Sequence, residues 1–245
     1  MSLIGQATFL VSFPVAASAI GAGIAAVRPP GPRVVSAIQH FAAGVVISAL
    51  AGEVLPDLRS EGHLGWAATG FVCGTALVLG LAAYGRRVDG REPKTGTSAR
   101  SLPLGMLAAV AIDLLIDGLL VGLGVRLGST QALILTIALT LEILFLSLSL
   151  VAELTERGLS ATRATAVCTG LGLVTAVGAV VSVAVLAGVG TAVLAFVLAF
   201  GAAALLYLAL EELLVEAHDQ AETTFLSAML FAGFLCIYVL GELAG

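Results

Sequence analysis

Apolar residues in this chain form long, nearly uninterrupted runs instead of the alternating or amphipathic patterns of soluble proteins. Eight runs approach or exceed the ~20 residues that a helix needs to cross a bilayer. They lack the period-two alternation of barrel strands, and backbone groups in lipid must be hydrogen-bonded internally. We therefore predict an all-α integral membrane protein with eight transmembrane helices. The predicted spans are 3–27, 34–55, 64–84, 102–125, 132–152, 164–187, 191–214 and 225–243.

The composition supports this class and excludes others. Hydrophobic residues make up 59% of the 245 residues and charged residues 11%, and a soluble domain would need more charge to cover its surface. The three cysteines are far apart in apolar runs, which predicts neither a disulfide framework nor a thiolate zinc site. No basic domain suggests nucleic-acid binding. We expect one membrane domain, 1–245, whose only substantial linker is the polar segment 86–101.

Positively charged residues are unevenly divided between the two sides of the predicted bundle. With the N-terminus outside, nine of the 11 Lys and Arg residues fall on the cytoplasmic side, where such residues concentrate in membrane proteins. Both termini are therefore expected outside, and 86–101 is expected to be a cytoplasmic loop. The nine are Arg28, Arg33, Arg86, Arg87, Arg91, Lys94, Arg100, Arg157 and Arg163, and the other two are Arg59 and Arg126.

Two spans carry similar segments at equal spacing. Phe-Ala-Ala-Gly at 41–44 precedes two acids in the second span, and Phe-Gly-Ala-Ala at 200–203 precedes two acids in the seventh, which crosses the membrane in the opposite direction. Inverted repeats of this kind are common in transporters, so we predict one that relates spans 1–3 to spans 6–8 in a 3+2+3 arrangement. Chance similarity between Ala- and Leu-rich helices is the alternative. The paired acids are Glu53 with Glu212 and Asp57 with Glu216.

Three acids lie deep inside predicted spans: Asp113, Asp117 and Glu142. Each costs roughly 2.5–3.5 kcal/mol at mid-membrane when charged, and no Lys, Arg or His lies at comparable depth to neutralise it. The spacing of Asp113 and Asp117 puts both carboxylates on one helix face, which suits two ligands of one cation. The alternative is a protonated, hydrogen-bonded structural acid.

Further acids near span ends are weaker candidates. Glu53 is a fourth potential ligand, with an interfacial acid at a helix end as the alternative. Glu211 and Glu212 belong to an acidic cluster at the cytoplasmic end of span seven. This cluster is either a low-affinity release site for metal or a solvated turn.

Several segments resemble the ZIP (Zrt-/Irt-like) family of metal transporters across nearly the whole chain. Residues 40–57, which begin His-Phe-Ala-Ala-Gly and end Glu-Val-Leu-Pro-Asp, resemble the family's FAAG…LLPE segment. Residues 204–218 are similar to its GAMLY…EELIPEAH segment, and Arg-Gly-Leu-Ser at 157–160 matches the loop after span five. The resemblance implies eight spans, a location in a bacterial inner membrane and metal-binding positions at Glu211 and Glu212.

The resemblance also marks where this chain departs from the family. The family's fourth span carries His-Asn-x-Pro-Glu-Gly, whose His and Glu bind metal, and the same frame here begins at Asp113 and ends with Asp117-Gly118. Glu142 takes the first ligand position in span five, and Glu53 replaces a small polar residue that lines the pathway. One family site therefore keeps its donors as carboxylates, which implies a mononuclear centre. Positions of the neighbouring second site are occupied here by Leu114, Ile143 and Thr175. The family's two prolines are replaced by Ile116 and Phe145.

Together these features predict a transporter of divalent metal ions and not an enzyme. An all-oxygen site favours Mn²⁺, Mg²⁺ or Fe²⁺, although the family transports zinc and zinc accepts carboxylates. The metal would be the transported substrate, with no permanently bound cofactor. Protons and the bilayer are the other expected partners, transport is expected to depend on pH, and a homodimer is left open. The alternative is a ZIP-fold protein that no longer transports metal, such as a proton-linked carrier of another solute or a sensor.

Overall fold

The computed structural model describes residues 2–60, 63–89, 104–186, 188–217 and 223–244. Within these ranges the chain is helical and contains no strand, and eight helices are long and apolar enough to cross a membrane. The predicted all-α, eight-span class is therefore confirmed. The helices are α1 Leu3–Val27, α2 from Pro32, α3 Leu64–Asp89, α4 Leu104–Leu127, α5 Ser129–Glu156, α6 Ala161–Leu186, α7 from Thr191 and α8 Thr224–Ala244.

The turns follow from local sequence. α1 ends where the backbone N–H of Arg28 donates to the carbonyl of Ile24. α2 begins with proline at its first position, where no helical N–H is needed. Gly158 separates α5 from α6 with φ of 91°, a left-handed conformation that glycine adopts without steric cost. α3 continues to Asp89, beyond the predicted end of its span, and 90–101 of the predicted loop lies outside the described residues.

α2 and α7 each contain a π-helical segment that the sequence analysis did not predict. α2 is α-helical over Pro32–Ala49, π-helical over Leu50–Val54 and α-helical again over Leu55–Ser60. α7 repeats this order with Thr191–Tyr207, Leu208–Leu213 and Leu214–Ala217. By contrast, α4 and α5 run as continuous α-helices through Ile116 and Phe145.

The helices pack in two groups. α1, α4, α5 and α6 contact one another, with the most extensive pairings α4 on α6, α1 on α5 and α1 on α6. In the second group α2 packs along α8 and α3 along α7. The two groups meet mainly where α2 lies against α5 and α7 lies against α4.

Glycines let several of these pairs approach to backbone contact. A methyl group on Gly118 of α4 would clash with the carbonyl of Thr175 in α6, and one on Gly178 would clash with the carbonyl of Leu115. In the second group, Gly74 of α3 lies against the carbonyl of Phe200 in α7, and Gly233 of α8 lies against the carbonyl of Phe41 in α2. Small residues serve this purpose in membranes because apolar burial does not drive helices together there.

Candidate metal site

The three deep acids of the sequence converge between α4 and α5. One carboxylate oxygen from each of Asp113, Asp117 and Glu142 lies within 4.8 Å of the other two. We call these residues the acidic triad. Asp113 and Asp117 sit one turn apart near the middle of α4, and Glu142 is at the middle of α5. Oxygens on opposite sides of one hard cation are separated by about 4–5 Å, twice the metal–oxygen distance, so the triad is close to the spacing that one ion requires.

Burial differs among the three acids. Asp117 is 1% exposed and Glu142 2% exposed, whereas Asp113 is only half-buried. Asp113 lines a small cleft between α3, α4 and α7, together with Ala82, Tyr207 and other side chains of those helices. The triad is thus a buried pair of carboxylates with a third carboxylate at the mouth of a cleft.

An apolar cluster seals the other side of the triad. α4 runs toward the face of the bundle where α1 begins and α8 ends, which we call the termini face. Beyond the acids on that side, Leu120 and Leu123 of α4 pack with Leu139 of α5, Val46 of α2 and Leu198 of α7, all almost fully buried. The acids are therefore closed toward the termini face, while Asp113 lines the cleft described above.

The carboxylate of Asp117 has an unusual environment for a buried acid. Neither of its oxygens accepts a hydrogen bond from any residue that the structure describes. Buried carboxylates are normally paired, hydrogen-bonded or bound to a metal, because an uncompensated charge in an apolar region is costly. Glu142 adds a second acidic group beside it and no compensation. The arrangement can be balanced by a dication or by protons.

Glu211 is the weaker candidate whose side chain the structure describes, and it does not belong to this group. Glu211 lies in the π-helical segment of α7 with an exposed side chain. Glu53 and Glu212 belong to the π-helical segments of α2 and α7, and their side chains lie outside the described residues. Their predicted roles as ligands stay predictions.

A second buried polar cluster was not predicted as a feature of the fold. Ser36, Gln39 and His40 of α2 are each at most 5% exposed. The hydroxyl of Ser36 donates to the carbonyl of Ala217, in the last described turn of α7, at 2.7 Å. His40 Nδ1 lies 2.8 Å from the carbonyl of Ser36, and since a carbonyl only accepts, Nδ1 carries the proton. The i, i+3, i+4 spacing of these polar residues was the available signal, because it marks one face of a helix.

Hydroxyl groups also lie in the interface between α4 and α6. Ser182 donates to the carbonyl of Leu119 at 2.9 Å, whereas the buried hydroxyl of Thr175 has no hydrogen-bond partner among the described residues. Thr175 lies against Gly118, the residue after Asp117. From the sequence, Thr175 was expected only as the replacement of an acid that the ZIP resemblance implies, and its hydrogen-bonding state depends on a rotamer that sequence does not specify.

A scan against protein-family models and a search of curated proteins each returned no match for this chain.

Proposed function

We propose that this protein carries divalent metal cations across the membrane, with the acidic triad as the binding site at mid-span. The observation that carries the proposal is the environment of Asp117: a fully buried carboxylate, beside Glu142 and Asp113, whose oxygens accept no hydrogen bond from the described chain. A dication between the three acids would supply the missing compensation. Intramembrane acids of this kind commonly mark ion pathways.

The chemistry of the donors favours a hard cation. The triad offers oxygen only, and neither His nor Cys belongs to the group within the described residues. Carboxylate oxygens suit Mn²⁺, Mg²⁺ or Fe²⁺, whereas imidazole and thiolate select softer ions. Zinc is the class suggested by the ZIP resemblance and accepts carboxylates. We propose Mn²⁺ as the first ion to test, with Zn²⁺ as the comparison.

Membership in the ZIP family, with its inverted repeat, is part of the proposal. The π-helical segments support the repeat, because the i→i+5 bond from Leu55 N–H to the Leu50 carbonyl recurs 159 positions later from Leu214 to Ala209. The glycine contacts support it independently. Gly74 on the carbonyl of Phe200 and Gly233 on the carbonyl of Phe41 are the same contact with the two halves exchanged, again at an offset of 159.

The central helices follow a matching exchange. Gly21 of α1 approaches the carbonyl of Leu144 in α5, and Gly178 of α6 approaches the carbonyl of Leu115 in α4. Leu115 and Leu144 are 29 positions apart, as are Asp113 and Glu142. The repeat would therefore make Asp113 and Glu142 equivalent acids, one contributed by each half of the molecule.

Alternating access is the transport mechanism we propose. Asp113 lines a cleft while its counterpart Glu142 is buried behind the apolar cluster that includes Leu123 and Leu139. In a molecule built from two equivalent halves, this difference in exposure between Asp113 and Glu142 is expected of one end state of transport. If the two halves exchanged conformations, Glu142 would open toward the termini face. Proton binding to the acids would balance their charge when no metal is present.

The proposed setting is a bacterial inner membrane with both termini outside, which is the orientation that the distribution of Lys and Arg favours. The cleft at Asp113 would then lie on the cytoplasmic side. We propose the bilayer, the metal ion and protons as partners, and no catalytic activity.

Uptake into proteoliposomes tests the proposal. Purified protein reconstituted into vesicles should admit Mn²⁺, and the double variant Asp113→Ala, Asp117→Ala should not. Glu156→Gln, which changes an exposed acid at the end of α5, is the matched control and should transport like wild type. Uptake by the double variant at the wild-type rate would refute the triad as the site.

The second candidate is a ZIP-fold protein that binds ions without transporting metal, or carries another solute with protons. The continuous α4 and α5 favour it, since the family's proline kinks are absent here. Mn²⁺-dependent thermal stabilisation without any uptake would support a sensor. If a panel of divalent ions produced neither thermal stabilisation nor uptake, the result would favour the proton-linked carrier.

A further inference from the structure

The hydroxyl of Thr175 is the starting point. Thr175 is at the middle of α6 and fully buried, and its Oγ1 has no hydrogen-bond partner within the described chain. Seven other helical threonines behave differently, because each donates to the carbonyl four residues earlier, whereas Thr162 and Thr169 of α6, which show no such bond, are not buried. The seven are Thr8, Thr69, Thr75, Thr136, Thr140, Thr155 and Thr165. Thr175 therefore forgoes the hydrogen bond that its own helix offers.

Leaving this bond unmade is unfavourable, since neither water nor lipid replaces it in a buried site. Threonine in a helix has two accessible χ1 rotamers, one of which bonds the preceding turn. Adoption of the other rotamer in a fully buried place needs a reason outside α6.

The position of Thr175 supplies that reason. Its backbone lies against Gly118 with no side chain between them, and the register is held by Gly178 against Leu115 and by Ser182 donating to the Leu119 carbonyl. Asp117 immediately precedes Gly118. A buried donor without an acceptor and a buried acceptor without a donor are thus found on adjoining turns of α4 and α6.

We propose that Thr175 is a positioning residue for the cation site: when a divalent cation binds the acidic triad, Thr175 donates a hydrogen bond to Asp117. The inference rests on the proposed function. A bound ion turns one oxygen of the Asp117 carboxylate toward the metal, and the other oxygen then becomes the acceptor for the Thr175 hydroxyl. Ligating carboxylates are commonly held by such hydrogen bonds, whose loss weakens metal binding about 10–100-fold.

Three variants test this. Thr175→Val keeps the branched shape and removes the hydroxyl, Thr175→Ser keeps the hydroxyl, and Thr136→Val removes a buried hydroxyl whose bond to the Ala132 carbonyl is already made. Mn²⁺ affinity is measured by titration calorimetry on the purified full chain, and thermal unfolding is followed without metal.

We expect Thr175→Val to bind Mn²⁺ at least about 10-fold more weakly than wild type, and to be no less stable without metal. Thr175→Ser should bind within roughly threefold of wild type, a loss well below that for the valine variant, and Thr136→Val should bind normally. Unchanged affinity in Thr175→Val would overturn the inference. Equal weakening in the valine and serine variants would also overturn it, because shape and not the hydroxyl would then be responsible. Wild-type protein that binds no Mn²⁺ would instead reject the proposed metal site together with this inference.

Discussion

Replacing Asp117 by asparagine should raise the stability of the metal-free protein and remove its response to metal. The change keeps the size of the side chain and removes the charge, at a position 1% exposed where neither oxygen is hydrogen-bonded within the described chain. Buried, unsatisfied groups cost about 1–3 kcal/mol, and a charged acid at mid-membrane costs roughly 2.5–3.5 kcal/mol. The amide avoids both the charge and the free energy of taking up a proton at neutral pH, but it is still a buried polar group, so we expect Asp117→Asn to gain on the order of 1 kcal/mol without metal.

The metal reverses this order. Wild type gains about 2.7 kcal/mol at a cation concentration 100 times Kd, whereas the variant offers a neutral amide oxygen in place of a charged carboxylate and should gain little. Since 1 kcal/mol shifts Tm by about 2–4 °C in soluble chains of this size, the variant should melt above wild type in chelator. It should melt at or below wild type in saturating Mn²⁺.

Thermal unfolding of purified protein in detergent, with and without Mn²⁺, measures both effects. Glu156→Gln should follow wild type in both conditions, because Glu156 is exposed and distant from the triad. A variant that is less stable than wild type in chelator, yet shifts equally with Mn²⁺, would refute the idea that the charge of Asp117 is kept for the ion.

Three other expectations concern packing, pH and orientation. Gly118→Ala should destabilise the protein by about 1–3 kcal/mol, because the methyl group meets the Thr175 carbonyl. Gly80→Ala, with open space around it, should be neutral or stabilising by up to about 1 kcal/mol. Denaturation of the two variants measures both effects. Mn²⁺ affinity should fall as pH decreases, because protons compete for the carboxylates that bind the ion; calorimetry at several pH values that gave one constant affinity would contradict this. In intact cells, membrane-impermeant reagents should label a cysteine added at either terminus of the protein. Labelling only after lysis would show that the proposed orientation is the wrong way round.

Much of the architecture was predictable because lipid imposes a strong constraint on sequence. Eight apolar runs predicted eight spans, and the helices match them closely, although α3 extends to Asp89. The triad was also predictable from the sequence, because i, i+4 spacing places Asp113 and Asp117 on one face of α4 and the next helix supplies Glu142. These features depend on local pattern and on the high cost of charge in lipid.

Other features depend on contacts between helices and had no such signal. The segments at 50–54 and 208–213 are as compatible with α-helix as with π-helix, since both hold apolar residues and glutamates. The rotamer of Thr175 and the bond from Ser36 to the end of α7 likewise depend on neighbours far away in sequence. Sequence pattern specifies which residues face inward, but not which of two hydrogen bonds a buried group makes.

The π-helical segments have a consequence for the history of the molecule. Each closes an i→i+5 hydrogen bond and so holds one more residue than an α-helical turn, as the insertion of one residue into a helix would produce. If the two halves descend from one ancestral gene, insertions at the same offset in both halves are explained most simply by one event that preceded the duplication. Single-half relatives, which would pair as antiparallel dimers, should then carry the same extra residue after their Phe-Ala-Ala-Gly segment.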